Sequence, residues 1–127
     1  MFNKILIPVD ETDVSATVLT RCSRLLEIPG VQVKLVTVAS VTPAQAADER
    51  YRHDSLHDPL HAMLDVLRDQ LLRRIIPAKS EVLFGDPATE ILREAARGEF
   101  DLVAMSSHGR AGLSRVLFGS VAQKVLQ

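Results

Sequence analysis

Residues 101–112 read DLVAMSSHGRAG, and this stretch decides the fold. Its apolar first half predicts a strand over residues 101–106. Glycines follow at Gly109, Gly112 and Gly119, and a helical pattern begins near Ser120. Glycines let the backbone approach an anion closely, and the free N–H groups of a helix start attract negative charge. The stretch therefore predicts a phosphate-binding connection between a strand and a helix.

Apolar strands and capped helices alternate along the rest of the chain. An apolar run predicts the first strand over residues 4–9, with Pro8 at its end because proline has no N–H. A helix follows, capped by Thr12 or Asp13 and stopped at residues 29–30. The later elements are a strand over residues 31–38, a polar connection over 43–58, a helix from 59 to about 74, a strand over 80–84 and a helix that begins at Asp86 and Pro87 and ends at Gly98.

This alternation predicts one α/β domain over residues 1–127, with a parallel sheet and helices on both faces. Such sheets bind ligands at the carboxyl ends of the strands, where the winding direction reverses. Asp10 follows the first strand and residues 106–112 follow the fourth. The two segments face one pocket if those strands are neighbours, and periodicity alone leaves that adjacency open.

The end of the chain carries a separate expectation. Gln127 lies inside a helical pattern, where a fifth strand would normally follow. The last strand is therefore expected to be missing, which leaves the edge of the fourth strand with unpaired backbone groups. Such an edge invites pairing with another chain.

Composition excludes several classes of function. A net charge of −1 and an aromatic content of 4% with no Trp argue against a nucleic-acid partner. No stretch approaches the ~20 apolar residues of a membrane span, so no membrane partner is expected. Cys22 is the only cysteine, which fits a reducing, cytoplasmic setting.

Several polar residues near the glycines are candidates for ligand contacts. The Asp10 carboxylate could accept ribose hydroxyls or help to hold a metal, or it could be a solvated turn residue. Ser120 could bind phosphate or act as an ordinary N-cap. Arg110 could pair with phosphate, although loop arginines are usually solvated, and His108 could touch phosphate or orient its turn.

Three histidines, His53, His57 and His61, are spaced four residues apart. That spacing aligns imidazoles on one helical face and could bind zinc. Pro59 interrupts the helix between the second and third histidine, and no cysteine joins them. The solvated-loop interpretation is therefore favoured over the zinc site.

Four segments together resemble the universal stress protein family, and the last of them is the most specific. They are ILIPVD (residues 5–10), GDPATEI (85–91), DLVAM (101–105) and SHGR through GSVA (107–122). The resemblance implies five parallel strands in the order 3-2-1-4-5 and a homodimer, often formed through the last strand. It also implies the motif Gly-x2-Gly-x9-Gly-Ser/Thr of the ATP-binding branch. Gly109, Gly119 and Ser120 match that motif, whereas Ser106 stands at the first glycine and its side chain either crowds the nucleotide or points away.

The resemblance also assigns residues to a nucleotide. Asp10 would lie on the ribose and metal side, Pro8 and Val9 would line the adenine side, and the backbone of Val38 would meet adenine. The phosphate side would comprise Ser106, His108, Gly109, Arg110, Gly112, Gly119, Ser120 and Val121. The implied cofactor is ATP with Mg²⁺.

The resemblance leaves two functions open. One is an ATP-binding regulatory switch in the stress response, with slow ATP hydrolysis at most. The other is a nucleotide-free dimeric interaction module of the same family. Ser106 favours the second function, and the intact spacing from Gly109 to Gly119 favours the first.

Overall fold

Strands and helices alternate along the chain, as the sequence predicts. The structure, a computed structural model, describes residues 3–9, 19–20, 22–106 and 114–118. The strands within these residues are β1 (Lys4–Pro8), β2 (Gln32–Ala39), β3 (Ala78–Phe84), β4 (Leu102–Ser106) and β5 (Ser114–Phe118). The helices are α1 (Ser23–Leu26), α2 (Pro43–Ala47), α3 (Glu49–Arg52), α4 (Asp58–Arg73) and α5 (Pro87–Arg97), with a 3₁₀ turn over Ser55–His57.

The strands form one sheet in the order β3-β2-β1-β4-β5. The first four strands are parallel, and the register pairs Lys4 with Gln32, Ile5 with Leu102 and Val33 with Ala78. A parallel sheet needs helical crossovers that cover its faces. The predicted α/β class with a parallel sheet and helices on both faces is thereby confirmed.

Apolar side chains fill the space on each face of the sheet. On one face the buried residues of β1 and β2 pack against α4, through Leu64, Leu67 and Leu71. On the other face a smaller cluster joins the sheet to α5, through Ile91 and Ala95. The central strands β1 and β4 therefore consist mostly of apolar residues, because alternate side chains enter opposite cores.

The helix α5 begins where the sequence predicts. The Asp86 carboxylate accepts hydrogen bonds from the Thr89 backbone N–H at 3.0 Å and from the Thr89 hydroxyl at 2.8 Å. These bonds lower the pKa of Asp86, because they stabilise its ionised form. Pro87 occupies the first helical position and Gly98 caps the other end, so both predicted boundaries of this helix are confirmed.

The edge of β4 differs from the expectation. Instead of presenting unpaired backbone groups, β4 pairs with β5 in antiparallel register, from Leu102 with Phe118 to Ser106 with Ser114. The expectation of an unpaired β4 edge was thus wrong, and the sheet is mixed rather than purely parallel. A chain that turns back can pair antiparallel through a short connection, whereas a parallel strand needs a long crossover. The strand SRVLF also ends in apolar residues with good β-propensity.

The polar segment expected over residues 43–58 forms short helices. Thr42 and Gln45 make a reciprocal capping box at the start of α2, with distances of 3.2 and 3.0 Å. The Asp48 carboxylate accepts a hydrogen bond from the Arg50 N–H at the start of α3, and the Asp54 carboxylate accepts one from the Leu56 N–H at the 3₁₀ turn. The polar side chains of this segment act as helix caps. The polar composition of the segment alone does not show which residues take that role.

The predicted helices after β1 and near Ser120 fall largely outside the described residues. The structure describes the end of the first of them as α1, which stops at Leu26, ahead of the predicted stop at Pro29 and Gly30. Gly30 has a φ of 78°, a conformation that favours glycine, so it makes the turn into β2.

Candidate functional site

The strands β1 and β4 lie next to each other, as a shared pocket requires. They pair in parallel through Ile5 with Leu102 and Leu6 with Val103. From β1 the chain goes on to β2 on one side of this pair, and from β4 it goes on to β5 on the other side. The winding direction therefore reverses between β1 and β4, and sheets of this class bind ligands at the carboxyl ends of the strands at such a point.

The end of β1 lies at this point of reversal, and its backbone is held by a hydrogen bond to β2. Pro8 is the last residue of the strand and is half-buried, in keeping with its missing N–H. Val9 is buried, and its N–H donates to the Val36 carbonyl at 2.7 Å. The residue that follows, Asp10, lies outside the described residues.

Two other predicted site residues belong to the same end of the sheet. Val38 lies in β2, two residues beyond Val36, which is the register partner of Pro8. Its side chain is half-buried and packs against the cluster beneath α5. Ser106 is the last residue of β4, and its register partner is Ser114 of β5. The structure thus brings Pro8, Val9, Val38 and Ser106 to the carboxyl ends of three neighbouring strands.

The remaining predicted site residues lie outside the part of the chain that the structure describes. They are Asp10, His108, Gly109, Arg110, Gly112, Gly119, Ser120 and Val121. Their assignment to ribose, metal and phosphate stays a prediction.

A buried histidine at this end of the sheet was missed by the sequence interpretation. His57 is 6% exposed, and its ring makes edge contacts with Tyr51 and Phe84, with centroids 5.2 and 4.9 Å apart. Its Nε2 atom is buried with no hydrogen-bond partner among the described residues. The solvated-loop interpretation was therefore wrong for His57. No local pattern in the sequence signals this burial, because it depends on packing against Tyr51 and Phe84 in the folded chain.

The described residues contain no group of three or more His, Cys, Asp or Glu side chains that could hold a metal ion. The zinc site that the histidine spacing suggested is therefore not formed within these residues. Among the helices of the described ranges, none has the length and apolar content that crossing a bilayer requires.

Comparison with protein families matches residues 1–127 to the Universal stress protein family. A universal stress protein of Methanocaldococcus jannaschii is 26% identical over 135 residues, which cover 100% of this chain and 77% of that protein. The universal stress protein YxiE of Bacillus subtilis is 27% identical over 138 residues, which cover 100% of this chain and 93% of that protein.

Solved structures share the fold at low sequence identity. A universal stress protein family member from Burkholderia pseudomallei has a TM-score of 0.68 at 19% identity, covering 98% of this chain and 88% of that one. The Archaeoglobus fulgidus universal stress protein, solved in complex with dAMP, has a TM-score of 0.63 at 16% identity, covering 98% and 90%. An Arabidopsis thaliana family protein with AMP bound has a TM-score of 0.57 at 18% identity, covering 84% and 77%.

The family match spans every residue of the chain, and the strand arrangement agrees with that of the solved relatives. The chain belongs to the universal stress protein family.

Proposed function

We propose that this protein binds ATP with Mg²⁺ at the carboxyl ends of β1 and β4 and acts as a nucleotide-dependent regulatory switch in the stress response. The observation that carries the proposal is the adjacency of β1 and β4 at the reversal of winding. Sheets of this class bind nucleotides at such a point. Family members of the same fold have been solved with dAMP and AMP.

The sequence supplies groups suited to each part of the nucleotide. Gly109, Gly119 and Ser120 keep the spacing of the phosphate motif, and their backbone N–H groups suit a polyphosphate. Mg²⁺ prefers oxygen ligands and is commonly held by phosphates and one or two carboxylates. Asp10, directly after the anchored Val9, is the carboxylate proposed for that role and for the ribose.

A switch suits these residues better than an enzyme. No side chain other than His108 stands out as a general base for water, so at most slow ATP hydrolysis is expected. In the proposed mechanism, nucleotide binding orders residues 106–120, and a partner protein binds the ordered segment. The energy for ordering comes from contacts that exist only in the bound state.

The alternative is a nucleotide-free interaction module, and two observations favour it. Ser106 replaces the first glycine of the ATP-binding motif, and a side chain at that position fills space where the backbone would approach phosphate. Residues 114–118, which fall within the nine-residue interval of the motif, form β5 against β4. If β5 persists with ATP present, part of the interval is committed to the sheet.

Analysis of bound nucleotide separates the two functions. The protein is purified without added nucleotide and denatured, and any released small molecule is identified by mass and absorbance. Nucleotide-stripped protein is then titrated with ATP and Mg²⁺. Gly119→Val adds a branched side chain at the proposed phosphate contact and should weaken ATP binding at least about tenfold, or about 1.4 kcal/mol. An unchanged affinity in this variant would refute the phosphate assignment.

A homodimer and a cytoplasmic location complete the proposal. The dimer rests on the family resemblance, since β5 covers the β4 edge that first suggested it. Sedimentation velocity at rising protein concentration tests it, and a single 14.0 kDa species at all concentrations would contradict it.

A further inference from the structure

Charged residues cluster at the end of the sheet opposite the proposed nucleotide site. In a parallel sheet covered on both faces, strands are expected to be apolar on each side. On the face toward α5, however, a lysine stands among the first few residues of three strands: Lys4 in β1, Lys34 in β2 and Lys79 in β3. Lys34 identifies the face, because its Nζ bonds to Glu94 of α5. Lys79 is the register partner of Lys34, so the two side chains share that face.

A cleft of about 470 Å³ opens at these strand starts. Its lining includes three lysines, Lys4, Lys34 and Lys79, and three apolar side chains, Leu72, Pro77 and Phe100. This volume lies within the range of about 300–1,000 Å³ that is typical of small-molecule sites. An apolar wall with a few convergent charges is the usual character of such sites.

Two of the three lysines already have partners. The Nζ of Lys34 bonds to Glu81 at 2.6 Å and to Glu94 at 2.8 Å. The Nζ of Lys4 donates to the Gly98 carbonyl at 2.5 Å and lies 5.2 Å from the centroid of the Phe100 ring. These contacts hold both ammonium groups in fixed positions at the edge of the cleft.

Lys79 differs from the other two. Its side chain is exposed, and it makes no hydrogen bond or ion pair with any residue that the structure describes. Its register partner Lys34 differs in this respect, because Glu81 and Glu94 already balance the Lys34 charge. Both Glu94 oxygens are occupied, one by Lys34 and the other by Arg97, so this buried carboxylate has no free oxygen for a cationic ligand. The charge left unbalanced in the cleft is positive.

We propose that this cleft binds a small organic anion that carries one negative group on an apolar body. The negative group pairs with the Lys79 ammonium, which has no other ionic partner among the described residues. The apolar body lies against Leu72, Pro77 and Phe100. Carboxylates and phosphate monoesters with a short alkyl or aromatic body share this chemistry. The site is separate from the proposed nucleotide site, because it lies at the amino ends of the strands rather than at their carboxyl ends.

Fluorescence titration with 1-anilinonaphthalene-8-sulfonate, an aromatic anion, tests the proposal on the folded protein. One saturable site is expected. Lys79→Glu should weaken the dye at least about tenfold, because it replaces attraction with repulsion, whereas Lys79→Arg should stay within about twofold. Arg50→Glu, at an exposed position outside the cleft, makes the same change in net charge and should have less than about a twofold effect.

Competition with the dye identifies the preferred anion and separates this site from the nucleotide site. Octanoate and octyl phosphate should displace the dye, and whichever acts at the lower concentration identifies the carboxylate or phosphate class. Neutral octanol should displace it poorly, and saturating ATP should leave it bound. Equal losses in Lys79→Glu and Arg50→Glu would overturn the proposal, as would displacement by ATP or equal displacement by octanol. Thermal unfolding of each variant verifies that the titrated protein is folded.

Discussion

Replacing Lys34 with methionine tests the ion-pair cluster that joins β2, β3 and α5. Lys34 is the centre of the cluster, since its ammonium contacts both Glu81 and Glu94. The Lys34 side chain is 18% exposed and the Glu94 side chain only 4%. Methionine keeps the unbranched shape and fills similar space, so the change mainly removes the charge.

The expected loss follows from what remains around Glu94. Removing one partner of a buried pair costs about 3–5 kcal/mol, because an uncompensated buried charge is left behind. Here Arg97 still pairs with Glu94, although the Arg97 side chain is 63% exposed. We therefore expect Lys34→Met to lower the free energy of unfolding by about 2–3 kcal/mol.

A double-mutant cycle isolates the interaction. Glu94→Leu leaves Lys34 with Glu81, so a loss of about 1–2 kcal/mol is expected. The double variant Lys34→Met with Glu94→Leu removes both charges and should lie within about 1 kcal/mol of wild type, since apolar replacements of buried pairs are often neutral. The cycle then yields a coupling of at least about 2 kcal/mol.

Urea unfolding with linear extrapolation is the assay, provided that the slope stays constant among the variants. The control is Arg93→Met, which removes the 2.8 Å pair with Glu90 through a side chain that is 67% exposed. It should change the free energy of unfolding by less than about 0.5 kcal/mol. A Lys34→Met effect as small as that of the control, or strict additivity in the cycle, would refute the reasoning.

The pH dependence of the free energy of unfolding tests the same ion pair. Burial tends to raise the pKa of Glu94, but hydrogen bonds from Lys34 and Arg97 hold that pKa below its ordinary value. Its stabilising contribution is therefore complete above the unfolded pKa of about 4.3 and is lost as the pH falls through the lower folded value. Burial tends to lower the pKa of Lys34, but Glu81 and Glu94 raise it overall. That contribution is complete below the unfolded pKa of about 10.4 and is lost as the pH rises through the higher folded value. The gap between wild type and Lys34→Met should be flat near neutral pH and narrow at both extremes.

Two further predictions concern the helices. Leu67→Ala should lower the free energy of unfolding by about 2–5 kcal/mol because the side chain is fully buried against the sheet, whereas the neighbouring Val66→Ala, at a position 51% exposed, should change it by less than about 1 kcal/mol in denaturant unfolding. Asp86→Ala should lower the melting temperature through loss of the two Thr89 bonds, and Asp86→Asn should lower it less because the amide oxygen still accepts. Since these bonds lower the pKa of Asp86, the Asp86→Ala effect should shrink as the pH falls through the lower folded pKa. A melting-temperature difference that is just as large in strong acid would contradict an ionised cap.

The parallel core of the sheet could be predicted from sequence because its signals are local. Apolar runs bounded by Pro8 or by Asp86 and Pro87 mark where strands and helices change over. The adjacency of β1 and β4 could not be derived from periodicity, because nothing local determines which strands pair. Here the family resemblance supplied the order.

The wrong expectations have separate physical causes. The strand β5 follows β4 after only seven residues and pairs with it in antiparallel register, whereas the prediction for this stretch relies on its glycines. The short helices near Thr42 and Asp48 depend on single capping bonds. His57 looked solvated among polar neighbours, yet the fold buries it between Tyr51 and Phe84.

Calorimetric titration of the nucleotide-stripped protein with ATP and Mg²⁺ tests the central claim most directly. The account predicts saturable binding of one ATP per chain, weakened at least about tenfold in Gly119→Val. Asp54→Ala, which alters an aspartate that caps the 3₁₀ turn rather than the proposed site, should retain the wild-type affinity. Absence of binding heat in the wild type at millimolar ATP, or equal affinity in wild type and Gly119→Val, would contradict a nucleotide site at the carboxyl ends of β1 and β4.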